Sequence, residues 1–361
     1  MMHETSLNPP QQASAPRRRA ETAPRWFMPV VRRYRRVMRA RKVARIRIFF
    51  ICGHPKSGTH WVANLVNLHP EVLCRGELQL QSIRRAILDL RGNAVYQVGK
   101  RMRPTIELHF ARMVRECLVT FNRDRPGACV LGDHSPLPLM DMVSDPTVRY
   151  LHITRDGRDV AVSFTFHWLR ARKPQWVPDH LREQYLNARR SLDGSRERAT
   201  EAAKSLLSSE LWVKHVASLW ANRVGQDRAT LASDDSDVRH RTLLIRYERL
   251  HADVEGERNR MYKFLGVDPD LAAPPSVETK TVAGFTTNDP RSHYRKGESG
   301  DWRSYFEIQQ RGWLDEALGT ELIELGYESD HSWVGRDDVV VRKNEPSHRG
   351  TVFATTMNLN L

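Results

Sequence analysis

Apolar and polar positions follow two different periods along the chain. Short apolar, β-rich runs occur at residues 46–52, 128–131, 148–154 and 242–246. The first and third runs are followed by a loop and then by apolar residues at helical spacing, such as Trp61, Leu65 and Leu68. These patterns predict two strand-loop-helix units, with further strands at the other two runs. Helical patterns also cover 82–123 with interruptions, 170–205, 259–265 and 307–327.

The loop of the first unit is predicted to hold an anion. Gly58 lets the backbone approach a ligand, and the amides and dipole of the following helix favour negative charge. Lys56 and Ser57 add a cation and a hydroxyl. Gly53 and Gly58 reproduce the outer glycines of a Walker A loop, but Lys56 precedes the second glycine instead of following it. This order disfavours a site for Mg²⁺ with a nucleoside triphosphate, and a loop without a ligand is the other alternative.

Polar residues follow two other predicted strands. His134 comes shortly after 128–131, where open α/β sheets bind ligands, and a histidine of ordinary pKa near 6.5 suits a general base. Arg155 directly follows 148–154, and Ser163 lies about one turn into the next helix. Both can therefore contact one phosphate group. The alternatives are an exposed loop histidine and a strand-turn-helix unit held by a salt bridge between Arg158 and Asp156 or Asp159.

Positive charge is concentrated near the N-terminus. The chain has 361 residues and a net charge of +14, and residues 17–47 hold thirteen Arg or Lys against one acid, which is +12. From Trp26, apolar residues recur every three or four positions with arginines between them, which predicts a basic amphipathic helix. Such a helix suits an anionic membrane surface or a partner's groove, or it packs on the protein's own surface. Nucleic acid is not expected, because no nucleic-acid-binding motif accompanies the charge.

The cysteines and the apolar runs bear on the compartment. Cys52, Cys74, Cys117 and Cys129 are widely spaced without a CxxC pair, which favours reduced thiols and no structural zinc. The sequence contains neither a run of about eighteen apolar residues nor a signal-peptide pattern. We therefore expect a cytoplasmic protein, either free in the cytoplasm or bound peripherally to the membrane. Its expected organisation is a basic arm at 1–45, a folded domain at 46–327 and a polar tail at 328–361.

Four segments resemble the motifs of one enzyme family. PKSGTHW at 55–61 resembles PKSGTTW, the 5′-phosphosulfate loop of sulfotransferases that use 3′-phosphoadenosine 5′-phosphosulfate (PAPS), with His60 replacing the second Thr. Arg155 and Ser163, eight residues apart, resemble the family's 3′-phosphate motif. TVAGF, ending at Phe285, resembles the strip that lays a Phe on the adenine, and RKGESGDW from Arg295 resembles RKGxxGDW.

This resemblance covers about 46–327 and implies both fold and activity. The implied fold is a single α/β domain with a central parallel β-sheet flanked by helices and a P-loop-like nucleotide-binding topology. The implied reaction is in-line transfer of a sulfuryl group from PAPS to a hydroxyl or amine, without a metal. We expect the acceptor to be a small molecule, a lipid or a carbohydrate. The implied nucleotide contacts are Lys56, Ser57, Gly58, Thr59, His60, Trp61, Arg155, Ser163, Phe285, Arg295, Lys296 and Gly297.

The resemblance also implies catalytic residues. Lys56 would stabilise the leaving phosphate. His134 resembles the histidine of KTHLP in cytosolic sulfotransferases, and Glu77 resembles the catalytic glutamate of tyrosylprotein sulfotransferases. We favour His134 as the base, since a neutral imidazole suits base catalysis at pH 7 better than a carboxylate with a pKa of about 4.3. The alternative function is a non-catalytic nucleotide- or nucleic-acid-binding protein that uses the basic arm.

Overall fold

The computed structural model describes seven ranges of the chain: 45–78, 103–121, 125–135, 145–192, 195–232, 236–275 and 297–336. Three predicted features lie outside the described residues: the amphipathic helix of the arm, the adenine-binding segment 281–285 with Phe285, and the cations Arg295 and Lys296. The same holds for residues 337–361.

A five-stranded sheet with the order β2-β3-β1-β4-β5 forms the centre of the fold, and every neighbouring pair is parallel. This confirms the expected parallel sheet. Its strands are β1 (Arg47–Gly53), β2 (Val72–Gly76), β3 (Val130–His134), β4 (Arg149–Thr154) and β5 (Thr242–Arg246).

The third strand lies further along the chain than the pattern at 128–131 predicted. It runs to His134, because Gly132 and Asp133 continue the pairing with β1 and β2. A Cβ atom on Gly132 would lie 2.4 Å from the ring of Phe49, so only glycine lets the two strands pack here. An apolar run alone does not show that such residues remain in a strand.

Helices cover both faces of the sheet. In chain order they are α1 (Thr59–Val66), α2 (Arg103–Phe121), α3 (Gly157–Ala171), α4 (Asp179–Arg190), α5 (Arg196–Leu207), α6 (Glu210–Ala232), α7 (Ser236–His240), α8 (Tyr247–Ala252), α9 (Val254–Leu265) and α10 (Ile308–Glu324). Short 3₁₀ helices occur at Pro174–Trp176, Pro269–Leu271, Asp301–Ser304 and His331–Gly335.

Three apolar clusters form the core. The first lies between the sheet and helices α1 and α9, and the second lies between the sheet and α2. The third packs α3 to α6 against α10, and it contains Trp212 and Trp220, both fully buried. This confirms the prediction that these two tryptophans belong to the core. A sheet covered on both faces explains why the strands are continuous apolar runs instead of alternating ones.

The beginning of the predicted tail packs onto the domain. Glu328 lies 2.5 Å from the guanidinium of Arg158, and Trp333 is 2% exposed in the helical cluster. The Trp333 ring meets that of Trp302 edge-on at 5.8 Å. One buried aromatic and one buried ion pair fix this segment, and polar composition alone did not indicate either contact.

Among the residues that the structure describes, no helix combines the length and the apolar character needed to cross a bilayer.

Candidate active site

The carboxyl ends of the three inner strands meet at one edge of the sheet. Gly53 at the end of β1 pairs with Ile153 in β4, and Ile51 pairs with His134, the last residue of β3. The chain builds β2 and β3 on one side of β1, and β4 and β5 on the other. This edge is therefore a topological switch point, where open α/β sheets bind ligands outside their strand ends.

The loop between β1 and α1 has an unusual backbone at its tightest positions. Gly53, Lys56 and Gly58 have φ angles of 144°, 71° and 109°. A Cβ atom on Gly58 would lie 2.9 Å from the ring of Tyr247, so this position needs glycine for space as well as for conformation. Gly58 is also the N-cap of α1 and has no side chain to bond the first amides of the helix. Those amides are suited to an anion.

Ser57 supplies the clearest sign of a ligand in this loop. Its side chain is fully buried, and its hydroxyl oxygen has no hydrogen-bond partner among the residues that the structure describes. A buried hydroxyl without a partner costs free energy, because it has lost water and gained nothing. The phosphosulfate group implied by the resemblance fits this position, since its oxygens accept hydrogen bonds.

Arg155 connects the first loop to the segment that begins at Gly297. It is 7% exposed, and its two Nη atoms donate to the carbonyl oxygens of Glu298 at 2.7 Å and Lys56 at 3.5 Å. Its guanidinium also lies 4.2 Å from the centre of the Tyr247 ring, whose hydroxyl donates to the carbonyl of Gly297 at 2.7 Å. A buried cation therefore lies where two glycine-containing loops meet.

Asp159 holds the segment after Gly297 in place. Its two carboxylate oxygens accept the backbone N–H of Gly300 at 2.8 Å and of Trp302 at 3.0 Å, and one lies 3.9 Å from Arg155. Gly297 and Gly300 have φ angles of 66° and 81°. The segments predicted to hold the 3′-phosphate and to close over the nucleotide are thus bonded to each other.

Ser163 and Trp61, two further predicted nucleotide contacts, differ in their surroundings. Ser163 lies half-buried on the second turn of α3, which begins just after Arg155. Trp61 is 4% exposed and belongs to the apolar cluster beneath α1, with its ring edge-on to Tyr247 at 5.3 Å. Trp61 therefore supports the loop from inside the domain.

The other half of this edge brings together residues from three separate elements. His60 is the second residue of α1, His134 ends β3, and the exposed Glu77 directly follows β2. Nε2 of His134 lies 3.2 Å from Nδ1 of His60, and the ring centres are 4.3 Å apart. Each of the three residues has a potential ligand atom within 4.8 Å of the others. The structure thus groups both candidate bases with a residue of the anion loop.

The surroundings keep both imidazoles neutral at pH 7. Burial lowers the pKa of His60 from 6.5 to about 4, assisted by His134 and by the positive charge of Lys56. Burial also lowers the pKa of His134, although the carbonyl of Arg75 and the charge of Glu77 raise it in part. The charge of Lys56 likewise assists burial in lowering the pKa of His167, on α3, to about 4. Lys56 therefore lies near the imidazoles of His60 and His167.

Asp133 fixes the backbone around His134 and Glu77. One of its carboxylate oxygens accepts the backbone N–H of Leu78 at 3.2 Å, and the other accepts the hydroxyl of Ser135 at 2.9 Å. Burial raises the pKa of Asp133 to about 6. Its side chain positions the ends of β2 and β3 relative to each other.

Two residues of this edge were not predicted as site residues. Tyr247 contacts Arg155, Trp61 and Gly297, and it begins the YERL segment, which resembles the family's YEDL. Asp159 lies in the helix after Arg155, in a stretch that keeps the family's pattern but does not indicate its contacts with Gly300 and Trp302. The resemblance at 247–250 could have identified Tyr247, whereas the role of Asp159 is visible only in three dimensions.

Comparison with known proteins shows the family to which the chain belongs. The sequence model of the sulfotransferase domain matches residues 47–326. Sulfotransferase 1A1 from Bos taurus is 24% identical over 280 residues, covering 72% of this chain and 78% of that protein. The chain therefore belongs to the sulfotransferase family, whose members transfer sulfuryl groups.

Two solved structures are also similar. The mouse sulfotransferase SULT7A1 complexed with PAP is 18% identical with a TM-score of 0.41, and the alignment covers 80% of this chain and 88% of that one. A sulfotransferase from Alicyclobacillus acidocaldarius is 18% identical with a TM-score of 0.42, covering 79% and 97% respectively.

Proposed function

We propose that this chain transfers a sulfuryl group from PAPS to a hydroxyl or amine of an acceptor molecule. The observation that carries the proposal is the buried Ser57 hydroxyl, which lies in an anion loop without a partner among the described residues. It shares the edge of the sheet with Arg155, the candidate contact for the 3′-phosphate, and with neutral His134. PAPS supplies the sulfuryl group, and the protein supplies positioning, charge and a proton acceptor.

Nucleotide binding is assigned to one side of this edge. Lys56, Ser57 and the first amides of α1, at Gly58, Thr59 and His60, would hold the 5′-phosphosulfate, and Lys56 would stabilise charge on the departing phosphate. Arg155 and Ser163 would hold the 3′-phosphate through charge-assisted hydrogen bonds. Phe285, Arg295 and Lys296, which lie outside the described residues, would contact the adenine and the phosphates.

Proton transfer is assigned to His134. Its Nδ1 lies 2.9 Å from the carbonyl oxygen of Arg75, so Nδ1 carries the hydrogen and Nε2 carries the lone pair. Nε2 is then the atom that takes a proton from the acceptor, and an acceptor hydroxyl would replace His60 as its partner. Glu77 stays the alternative base, because its carboxylate lies in the same cluster.

The acceptor is assigned by chemical class alone. A hydroxyl or amine of a small molecule, lipid or carbohydrate suits the proposed base, and the predicted amphipathic arm favours an acceptor at an anionic membrane surface. The protein would act in the cytoplasm.

A transfer assay tests the proposal. Purified protein is incubated with radiolabelled PAPS and a panel of phenols, sterols, glycolipids and amines, and label in each acceptor is measured. We expect label in at least one acceptor class with the native chain and strongly reduced label with His134→Gln. Equal transfer by both proteins would refute the assignment of the base, and no transfer to any class would favour the non-catalytic alternative.

A further inference from the structure

The cluster of His60, His134 and Glu77 has the composition of a metal site. The three residues come from α1, β3 and the segment after β2, and their potential ligand atoms all lie within 4.8 Å of one another. Two imidazoles and one carboxylate form a ligand set that transition metals use and that leaves positions open for other ligands. We propose that these three residues bind a divalent transition-metal ion of the zinc class.

The spacing of the two imidazoles fits such an ion. Zinc binds histidine nitrogen at about 2.0–2.1 Å, so two nitrogens on a tetrahedral ion lie about 3.3 Å apart. Nε2 of His134 and Nδ1 of His60 are 3.2 Å apart, and their rings are inclined by 67°. Rotation of the half-buried His60 ring would direct both lone pairs to one point. The exposed Glu77 side chain can then move its carboxylate to the same point.

The hydrogen bond from Nδ1 of His134 leaves its Nε2 available as a metal ligand. Its Nδ1 lies 2.9 Å from the Arg75 carbonyl oxygen, which can only accept, so the ring hydrogen is on Nδ1. This leaves a lone pair on Nε2, directed toward His60. Metal-binding histidines characteristically donate their other ring N–H to a carbonyl or carboxylate, which fixes the tautomer and the ring orientation.

His60 can bind the ion only if its ring hydrogen moves from Nδ1 to Nε2. Without a metal, Nδ1 of His60 donates its hydrogen to Nε2 of His134, which accounts for their contact. With its hydrogen on Nε2 instead, His60 presents a second lone pair, and the ion replaces the shared hydrogen. Nitrogen ligands favour zinc, cobalt, nickel and copper over magnesium and calcium, which prefer oxygen ligands.

The metal and the proposed base reaction compete for one atom. An ion on Nε2 of His134 removes the lone pair that would accept the acceptor's proton, so bound zinc should inhibit sulfuryl transfer. This consequence rests on the proposed function, whereas metal binding itself does not. Binding is therefore measured without nucleotide or acceptor, so that a failed metal site and a failed enzyme assignment give different results.

A cobalt titration of the metal-free full-length chain tests the site. Visible absorption of Co²⁺ is followed in the native protein, in His60→Thr, in Glu77→Gln, and in His240→Gln as a control at an exposed histidine of α7. We expect one equivalent to bind without the near-ultraviolet band of thiolate ligands. Loss of either ligand should weaken binding at least about tenfold, and His240→Gln should leave it unchanged.

Folding and competing sites are controlled in the same samples. Thermal melting of each variant reports its fold, and calorimetry with Zn²⁺ gives an independent affinity. Unaltered cobalt binding in well-folded His60→Thr and Glu77→Gln would overturn the proposal. So would a native protein that shows no saturable binding, or one whose spectrum indicates cysteine ligands.

Discussion

The carboxyl edge of the sheet has different chemistry on its two sides. Around β1 and β4, Lys56, Ser57 and Arg155 offer positive charge and a buried hydroxyl. Around β2 and β3, His60 and His134 are neutral imidazoles kept so by burial. The first side is suited to holding phosphate and the second to moving a proton. Binding and proton transfer should therefore respond to different substitutions.

The largest difference between the effects on proton transfer and on nucleotide binding is expected from His134→Gln. General base catalysis typically contributes about 10²–10⁴-fold to the rate, so kcat should fall by that factor. Affinity for 3′-phosphoadenosine 5′-phosphate (PAP), measured by calorimetry, should stay near the native value. Glu77→Gln is the matched variant, and it should retain most of the native kcat. If Glu77→Gln loses more activity than His134→Gln, the two residues have been assigned the wrong roles.

Ser57→Ala should show the opposite behaviour. A hydrogen bond to a charged group is worth about 1.5–3 kcal/mol, so PAP affinity should fall roughly 10- to 100-fold. The melting temperature of the protein without nucleotide should be unchanged or higher, because the lost hydroxyl has no partner among the described residues. Ser208→Ala, at an exposed position after α5, is the control. A large drop in melting temperature without a loss of affinity would mean that Ser57 is structural.

The pH dependence of kcat/KM separates His134 from Glu77 more finely. His134 has a pKa below 6.5, so activity should persist below pH 6.5 and decline only as the imidazole gains a proton. The negative charge of Glu77 raises that pKa, so Glu77→Gln should move the acid limb to lower pH. The assay contains a chelator, which removes competing metal ions. An acid limb that moves to higher pH in this variant would contradict the predicted electrostatics.

Substitutions in the basic arm are expected to have the smallest effect on nucleotide binding. The arm adds positive charge to that of Lys56 and Arg155. Replacing Arg32, Arg33, Arg35 and Arg36 with Gln in the full chain should reduce sedimentation with anionic vesicles, since each arginine near such a surface contributes about 1 kcal/mol. PAP affinity should not change. Unchanged vesicle binding would show that the arm does not contact membranes, and reduced PAP affinity would connect it to the nucleotide site.

The phosphate-binding side of the edge was more predictable from the sequence than the contacts on the proton-transfer side. The anion loop and the Arg155 unit are local, because their glycines, cations and hydroxyls lie within a few residues of one another, and motif spacing is therefore informative. The pair of His60 and His134 joins residues 74 positions apart, and the hydrogen bond that Gly300 N–H donates to Asp159 joins residues 141 apart. No periodicity encodes such contacts.

The ends of a strand could be predicted only where the local apolar pattern determines them. The predicted 242–246 strand is β5, whereas β3 extends into residues whose strand geometry depends on packing against Phe49. The packing of Trp333 could not be predicted either, since a single tryptophan in a polar segment does not reveal its contact with Trp302.

Calorimetric titration with PAP determines whether this edge binds a 3′-phosphorylated nucleotide. Native protein, Arg155→Lys and Arg155→Ala are titrated with PAP, with Mg·ATP as the competing ligand class, and melting curves confirm that each variant folds. We predict tight binding of PAP by the native protein, weaker binding by Arg155→Lys and the weakest by Arg155→Ala, with little binding of Mg·ATP. Equal binding of both nucleotides, or PAP binding that does not depend on Arg155, would show that this edge does not recognise a 3′-phosphate through Arg155.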